Sequence, residues 1–214
     1  MAEQIELMMR QVKLGGMAKG WRSVRYENTE QYVTELLKLE LQEREANRIN
    51  RMVKTAGFRV LKTLDEFVWN SAIELPSGLT QEYMTDLHFL TPKENLIFMG
   101  TVGTGKTHLA TAIGISCAKA RNITYFITFE KLMDQLKSAL HENRLETRLK
   151  FFAKYKVLII DEIGYMPIDQ DSANLFFQLI ARRYEKNSTM ITTNMPFSRW
   201  AEIFGSATLA NAIL

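Results

Sequence analysis

One glycine-rich segment constrains the fold of this chain more than any other feature of the sequence. It runs from Gly100 to Thr107 as Gly-Thr-Val-Gly-Thr-Gly-Lys-Thr and matches the Walker A pattern G-x-x-x-x-G-K-[ST] at every fixed position. Its glycines let the backbone curl so that successive N–H groups face phosphate oxygens at the positive end of the following helix. The segment therefore predicts a strand, a phosphate-binding loop and a helix, in that order.

The flanking sequence favours this interpretation over a glycine-rich turn without a ligand. The apolar run Leu96–Met99 precedes the loop, and an apolar-periodic helix that reaches Cys117 follows it. Lys106 can reach the β- and γ-phosphates, and the Thr107 hydroxyl can bind Mg²⁺. The predicted ATP-binding residues are Gly100, Thr101, Val102, Gly103, Thr104, Gly105, Lys106, Thr107, His108 and Asp161.

A second motif, Walker B, lies at the end of a later apolar run. The apolar segment Val157–Ile160 is followed by Asp161 and Glu162. Open α/β sheets bind ligands beyond the carboxyl ends of their strands, which places these acids beside the phosphate loop. We predict that Asp161 and Thr107 hold Mg²⁺, and that Glu162 is the general base that activates the attacking water. An acid-rich helix N-terminus is the alternative, since acids favour that end of a helix.

The order of the strands adds a third candidate residue. One strand–helix unit, with the strand Ile123–Ile127, separates the phosphate loop from Walker B, and a further strand, Thr189–Thr193, ends at Asn194. This order is typical of P-loop proteins in which an extra strand lies between the two Walker strands. Asn194 would then be a sensor for the γ-phosphate and the water, unless it is only a structural Asn. The predicted catalytic residues are Glu162, Lys106 and Asn194.

The apolar runs alternate with helical segments, which indicates a parallel sheet covered on both faces. One helix is predicted over about Phe129–Phe152, and a later one is predicted to begin at a cap formed by Asp171 or Ser172. The predicted fold class is α/β, a P-loop NTPase of the ASCE type with its parallel sheet between helices. We assign residues 61–214 to this ATPase domain and residues 1–60 to a small helical domain for DNA binding or oligomerisation.

One charged helix dominates the predicted N-terminal domain. Asn28 and Gln31 resemble a capping box at its start, and Gly57 is a candidate helix end. Acids and bases are interleaved up to Glu45, after which the bases continue to Arg59. Two interpretations stay open: a solvated face with intrahelical ion pairs, or a surface that contacts phosphates or another subunit.

Composition limits the location and the partners. The net charge of +3 permits nucleic-acid binding without demonstrating it. No apolar run is long enough for a membrane helix and the acidic N-terminus is unlike a signal peptide, so we expect a cytoplasmic protein that does not contact a membrane. The single cysteine, Cys117, excludes an internal disulfide and is expected to pack in the core.

Four segments together resemble a known family. They are the phosphate loop Gly100–Leu109, the run Asp161–Pro167 (Asp-Glu-Ile-Gly-Tyr-Met-Pro), the run Thr192–Phe197 (Thr-Thr-Asn-Met-Pro-Phe) followed by Trp200, and Leu61–Phe67 ahead of the core. Over nearly its whole length the chain is similar to the IstB-like ATP-binding proteins, the transposition helpers of bacterial insertion sequences. The DnaC-type helicase loaders resemble it in the ATPase core.

This resemblance implies an AAA+ ATPase that uses ATP and Mg²⁺, binds duplex DNA with little sequence preference and assembles as an ATP-bound homo-oligomer. It also implies a transposition helper that selects target DNA and recruits the transposase of the same element. Residues Thr63–Phe67 are expected to lie against the adenine. The residues that match the family's functional positions are Lys106, Thr107, Asp161, Glu162 and Asn194.

Three basic segments are candidate DNA contacts, because lysines and arginines that neutralise phosphates give affinity that falls with salt. These segments are Arg22–Arg25, Arg44–Lys54 and Arg144–Lys156. The aromatic residues near them are expected mainly in the core or an interface rather than stacked on bases. They are Trp21, Tyr26, Phe151, Phe152 and Tyr155.

The end of the sequence departs from the family pattern. The family continues with a helical lid that bears an Asp-Arg pair, whereas this sequence stops at Leu214 in an apolar helical pattern. We therefore expect a truncated lid and a missing arginine finger, a residue that can raise the hydrolysis rate by roughly 10³–10⁵-fold. Arg182 and Arg183 are substitute candidates, although arginines at a helix end also stabilise the helix dipole.

Three other functions are kept as alternatives. A helicase loader would share the ATPase core and act on a different client. A nucleotide-gated DNA scaffold would hydrolyse ATP only incidentally, and the intact pair Asp161 and Glu162 argues against it. A small-molecule P-loop kinase would need a basic lid, which the sequence does not suggest.

Overall fold

The computed structural model describes residues 2–70, 73–164 and 168–213. The chain divides into two compact units, with the division after Arg51. This point lies inside a long helix, whereas the predicted domain boundary followed residue 60.

The first unit is helical. Its elements are α1 (Ala2–Gln11), α2 (Gly15–Gly20) and the larger part of α3 (Thr29–Thr55). The Asn28 side chain accepts the Gln31 N–H at 2.9 Å, while the Gln31 side chain accepts the N–H of Glu27 at 2.7 Å. The helix therefore begins where the capping box predicts, although Gln31 reaches one residue further back than that motif requires. Past its end, Gly57 has a φ of 80°, a conformation that favours glycine after a helix.

A buried carboxylate joins α2 to α3. Glu40 is 5% exposed, and its Oε2 atom accepts the backbone N–H groups of Gly16 and Met17 at 2.8 and 3.3 Å. Its other oxygen accepts from Arg44 at 2.7 Å. Burial by itself would raise the pKa of Glu40, but Arg44 and the two N–H groups outweigh it and hold the pKa below its ordinary value. Glu40 thus satisfies the N-terminal donors of α2 from the side of α3.

The second unit is built on a four-stranded parallel sheet. Its strands are β1 (Leu96–Met99), β2 (Thr124–Thr128), β3 (Val157–Ile163) and β4 (Ser188–Thr193), in the order β1-β4-β3-β2. Strand β4 therefore lies between the strand before the glycine loop and the strand that ends in Asp161 and Glu162. The predicted parallel sheet with an extra central strand is confirmed.

Helices cover both faces of this sheet. They are α4 (Gln81–Thr85), α5 (Lys106–Lys119), α6 (Phe129–His141), α7 (Leu145–Ala153), α8 (Gln170–Arg183), α9 (Trp200–Phe204) and α10 (Ala207–Ile213). On one face, α5 packs over Val157 and Ile159, and on the other α6 and α8 pack over Leu158 and Ile160. The faces alternate because successive side chains of a strand point to opposite sides.

The helix predicted over Phe129–Phe152 is two helices. Asn143 lies between them with a φ of 53°, and the Arg144 N–H turns back to the Ala139 carbonyl at 2.7 Å. A left-handed residue followed by such a bond is a helix C-cap, and Asn tolerates that conformation better than most residues. Sequence periodicity continues across this break, which is why the prediction was wrong.

The cap of α8 is also different from the prediction. The side chain of Asp169, two residues before Asp171, accepts the backbone N–H of Ser172 at 2.7 Å. Its second oxygen bonds Lys137 at 2.8 Å. Lys137 first, and then Ser172, hold the pKa of Asp169 far below its usual range. The helix therefore begins at Gln170, and neither of the predicted caps is the N-cap.

Cys117 lies in the core under the sheet, as predicted, and burial raises the pKa of its thiol to about 12. Within residues 2–70, 73–164 and 168–213, none of the helices has the length and apolar character needed to span a membrane.

Candidate functional site

The glycine loop joins β1 to α5 at the carboxyl ends of the parallel strands. Gly103 and Gly105 have φ values of 84° and 86°, which a residue with a Cβ adopts only with strain. Gly105 is also the N-cap of α5 and has no side chain to satisfy the first N–H groups of the helix. A 14-residue helix thus presents free backbone donors and the positive end of its dipole to this loop.

Lys106 is the first residue of α5 and folds back over the loop. Its Nζ donates to the Thr101 carbonyl at 2.6 Å, and the Thr104 hydroxyl donates to the same carbonyl at 2.9 Å. Partial burial lowers the pKa of Lys106, while the charge of Asp161 opposes that change. The ammonium group is therefore held over the loop by a carbonyl acceptor that a phosphate oxygen could replace.

Asp161 is buried beneath the loop and receives two hydroxyl groups. The Thr107 hydroxyl donates to its Oδ1 atom at 2.9 Å, and the Thr192 hydroxyl donates to the same atom at 2.5 Å. Asp161 belongs to β3, Thr107 to α5 and Thr192 to β4. The tertiary fold thus brings together the two residues predicted to hold Mg²⁺, which lie far apart in sequence.

Glu162 and Asn194 also lie at the carboxyl ends of the strands. Glu162 is exposed and has a positive φ of 67°, and its N–H donates to the Thr192 hydroxyl at 2.9 Å. The Oδ1 atom of Asn194 is buried and has no hydrogen-bond partner within the described residues. Both residues border one cavity, so the three predicted catalytic residues converge on it.

This cavity has a volume of about 340 Å³. Its lining contains the second half of the glycine loop, the start of α5 and the ends of β3 and β4. The lining residues are Val102, Gly103, Gly105, Lys106, Thr107, His108, Glu162, Thr192, Thr193 and Asn194. Of the other predicted ATP-binding residues, Asp161 lies below Thr107, Thr101 and Thr104 bond within the loop, and the Gly100 N–H bonds the Thr193 carbonyl at 3.2 Å.

The segment predicted to meet the adenine lies against the start of α5. The His108 Nε2 atom is 3.2 Å from the Thr63 carbonyl, and the Phe67 ring meets the His108 ring edge-on at 5.3 Å. A Cβ atom on Gly105 would lie 3.2 Å from the Phe67 ring. Thr63 and Phe67 are therefore neighbours of the glycine loop, although they do not line the cavity described above.

The donor set at Thr107 and Asp161 suits a hard divalent cation. Hydroxyl and carboxylate oxygens are preferred by Mg²⁺, which commonly binds one or two such groups together with phosphate oxygens and water. Among the described residues there is no cluster of three or more His, Cys, Asp or Glu side chains that could hold a metal by themselves. The arrangement fits Mg²⁺ that arrives with a nucleotide better than a metal held by protein alone.

The two candidate substitutes for an arginine finger are both engaged within the chain. Arg183 is 1% exposed and donates to backbone carbonyls, so the hypothesis that it reaches a neighbouring subunit is wrong. Arg182 makes two hydrogen bonds to the Glu146 carboxylate, at 2.8 and 2.6 Å.

Some bases of the predicted DNA-contacting segments are paired with acids, and the aromatic residues near these segments differ in burial. In α3, Arg44 pairs with Glu40. In the second unit, Phe152 is buried, while Lys154 lies 4.6 Å from the Phe151 ring and 5.2 Å from the Tyr155 ring. Phe152 is thus a core residue as expected, and Phe151 and Tyr155 are half-buried beneath a lysine.

Thr192 is a residue of this site that the sequence analysis did not assign, and it contacts both Asp161 and Glu162. It lies near the end of β4, two residues before Asn194, which follows the strand. That closeness in sequence was a usable signal, but the partner atoms on Asp161 and Glu162 are visible only in the tertiary structure.

Comparison with known proteins identifies close relatives. The sequence profile of the family described as IstB-like ATP binding protein matches residues 8–214. The ATP-binding protein named for insertion sequence IS232 of Bacillus thuringiensis subsp. berliner is 51% identical over 189 residues, which are 86% of this chain and 74% of that protein. The corresponding protein of insertion sequence IS5376 of Geobacillus stearothermophilus is 38% identical, with 100% of this chain and 87% of that protein covered.

Solved structures share the fold. DnaA from Aquifex aeolicus bound to AMPPCP matches with a TM-score of 0.60 at 18% identity, over 71% of this chain and 46% of that chain. The DnaC helicase loader matches with a TM-score of 0.51 at 22% identity, over 90% of each chain. At these identities the similarity concerns the fold alone, which is that of an AAA+ P-loop protein.

The family profile spans nearly the whole sequence, and the relatives align over most of their own length. The glycine loop, the acidic strand end and the extra central strand agree with that match. The run Tyr165–Pro167, which contributed to the resemblance, lies outside the described residues. This chain belongs to the IstB-like ATP-binding proteins.

Proposed function

We propose that this protein is an ATPase that assembles on duplex DNA and serves as a transposition helper. The observation that carries the catalytic part is the convergence of Lys106, Glu162 and Asn194 on one cavity, with Asp161 and Thr107 bonded beside it. A nucleotide carrier without turnover has no need of a carboxylate at the position of Glu162.

In the proposed reaction, the triphosphate lies along the glycine loop and the N-terminus of α5. Water attacks the γ-phosphorus, the bond from that phosphorus to the β,γ-bridging oxygen breaks, and ADP and inorganic phosphate leave. The Glu162 carboxylate accepts the proton of the attacking water. Lys106 stabilises the charge that develops on the β- and γ-phosphate oxygens, and the Asn194 amide orients the water and the γ-phosphate.

Thr107 and Asp161 are the residues that would hold Mg²⁺. When bound there, the cation would neutralise phosphate charge. The adenine is proposed to lie towards Thr63 and Phe67, because these residues flank the loop from which the nucleotide would extend.

The DNA-binding part of the proposal rests on the relatives and on the charge of the chain. The relatives are named for insertion sequences, and the net charge of +3 suits contact with phosphates. The proposed partners are duplex DNA, further copies of the chain and the transposase of the same element. Contacts to the DNA backbone would give strong salt dependence and little sequence preference. A helicase loader with the same ATPase core is the second candidate, supported by the fold shared with DnaC.

The test uses a random-sequence duplex with and without ATP and Mg²⁺, followed by size-exclusion light scattering, electron microscopy and phosphate release. Glu162→Gln should keep ATP-dependent assembly and lower phosphate release by roughly 10²–10⁴-fold, because only proton acceptance is lost. Lys106→Ala should lose the assembly itself, since the triphosphate loses its cationic contact.

Two distant substitutions serve as controls. Lys119→Ala lies at the far end of α5, and Glu185→Gln lies in the turn before β4, so both should behave like the parent chain. Normal phosphate release by Glu162→Gln would contradict the catalytic assignment. A chain that hydrolyses ATP yet ignores duplex DNA under every condition would favour the helicase-loader alternative.

A further inference from the structure

The pairing of β3 with β4 is irregular at the site. Ile160 pairs with Ile191, and the next registered pair is Ile163 with Thr193, so β3 advances by three residues while β4 advances by two. Such an extra residue is a β-bulge, a feature that redirects side chains and often lies near functional sites. Here the irregular stretch contains Asp161 and Glu162.

Within this irregular stretch, Glu162 has a strained backbone conformation. Its φ of 67° lies in the left-handed region, which is uncommon for a residue with a side chain and persists only where surrounding contacts hold it. In a regular ladder its N–H would bond a backbone carbonyl. Instead it donates to the Thr192 hydroxyl at 2.9 Å, so a side chain replaces the missing ladder partner.

The Thr192 hydroxyl is a hydrogen-bond acceptor and a hydrogen-bond donor at the same time. It accepts from the Glu162 N–H and donates to Asp161 Oδ1 at 2.5 Å, and Thr192 is only 1% exposed. A hydroxyl group has one donor and two acceptor sites, which this arrangement needs and which an aliphatic side chain cannot supply. The same oxygen therefore fixes the backbone of one acid and the carboxylate of the other.

We infer that Thr192 is a positioning residue for hydrolysis, which aims the Glu162 carboxylate into the cavity and holds Asp161 in place beside Thr107. This inference rests on the ATPase activity proposed above. Without the hydroxyl, the Glu162 N–H loses its acceptor and the left-handed conformation loses its support. Thr192 lines the cavity but lies outside the glycine loop and α5, where the triphosphate is proposed to bind, so we expect nucleotide binding to persist.

The test compares Thr192→Val, Thr192→Ser and the control Thr124→Val in the full chain. Valine has nearly the shape of threonine but no hydroxyl, whereas serine keeps the hydroxyl. Thr124 is also buried and its hydroxyl bonds the Asn122 carbonyl at 3.0 Å, at the opposite end of its strand from the site. The measurements are kcat, KM for ATP, the Mg²⁺ concentration at half-saturation, and Tm.

We expect Thr192→Val to lower kcat by about 10–100-fold, the usual cost of losing a group that orients a ligand or catalytic residue, with a smaller change in KM. The Mg²⁺ concentration at half-saturation should rise, and Thr192→Ser should recover most of the rate. Thr124→Val should lose stability without losing kcat.

Unchanged kcat and Mg²⁺ dependence in Thr192→Val would overturn the inference, as would an equal loss of kcat in Thr124→Val. If the parent chain releases no phosphate, the proposed ATPase activity fails instead. Mg²⁺-dependent binding of a fluorescent ATP analogue then decides the role of Thr192, and an identical Mg²⁺ dependence in Thr192→Val overturns it.

Discussion

At the scale of single residues, Gly16 shows how little space separates α2 from α3. A Cβ atom at Gly16 would lie 2.5 Å from the Leu39 carbonyl oxygen and 2.8 Å from the Glu40 Cα atom, distances that real Cβ atoms do not reach. These neighbours are backbone atoms, which cannot turn away as the end of a side chain could. At the adjacent Gly15, a Cβ would meet nothing within 4 Å.

Gly16→Ala should therefore destabilise the first unit by roughly 1–3 kcal/mol, the usual cost of overpacking. Gly15→Ala is the matched control and should be neutral or stabilising by up to about 1 kcal/mol, because alanine favours helix. Thermal unfolding by circular dichroism, with limited proteolysis before residue 52, measures both. Equal Tm values for the two variants would contradict the close packing at Gly16.

At the scale of secondary-structure elements, side chains from one element complete the ends of another. Asp169 caps α8 and bonds Lys137 of α6, and Glu40 of α3 satisfies the first N–H groups of α2. Because these caps are carboxylates, the stability of the capped helix depends on their protonation state. We expect a larger effect for Glu40 because it is buried.

Glu40→Gln should destabilise the first unit by roughly 1–3 kcal/mol at pH 7, since two N–H groups and Arg44 lose a charged acceptor. The pKa of Glu40 is lowered in the folded state, so its contribution is complete above the unfolded pKa, about 4.3, and is lost as pH falls through the folded value. The Tm difference between the parent chain and Glu40→Gln should therefore shrink below about pH 4.

Glu35→Gln is the control for this prediction. Glu35 pairs with Lys38 on the exposed surface of the same helix. Such pairs contribute about 0–1 kcal/mol, so this variant should differ little from the parent chain. A Tm difference for Glu40→Gln that stays constant from pH 7 to pH 3 would rule out the proposed linkage.

At the scale of the whole second unit, the two ends of the parallel strands differ in what they hold. The candidate site lies at the carboxyl ends of the strands. Arg183 lies at the opposite ends, where it joins the end of α8 to the end of α7 and the starts of β3 and β4. Its guanidinium donates to the carbonyls of Phe152, Ala153, Tyr155 and Ser188 and to the Thr189 hydroxyl. Burial lowers the pKa of Arg183 to about 9, so it remains charged at neutral pH.

Arg183→Met should lower the stability of this unit by about 3–5 kcal/mol, because buried carbonyls lose their donor. KM for ATP should not change at a temperature where the variant is folded, since the cavity lies at the opposite ends of the strands. Arg182→Met is the matched control, and its exposed pair with Glu146 should contribute about 1 kcal/mol or less. A normal Tm with a reduced hydrolysis rate in Arg183→Met would instead restore the arginine-finger hypothesis.

The sequence by itself determined the features that depend on neighbouring residues. The glycine loop, the acids after an apolar strand and the alternation of strands with helices are local patterns, because backbone conformation and strand or helix periodicity are set within a few residues. These patterns predicted the parallel sheet and its extra central strand. Local interpretation had limits, since it extended one helix across Asn143.

Only the tertiary structure decided which distant groups meet. Thr192 and Glu162, or Glu40 and Gly16, lie in different elements, so their hydrogen bonds depend on register and helix packing rather than on spacing in the sequence. The burial of Arg183 likewise follows from the ends of four elements meeting around it. The sequence does not show which group a polar side chain will contact. The contacts seen in the structure make Thr192 a candidate positioning residue and identify Arg183 as a structural cation.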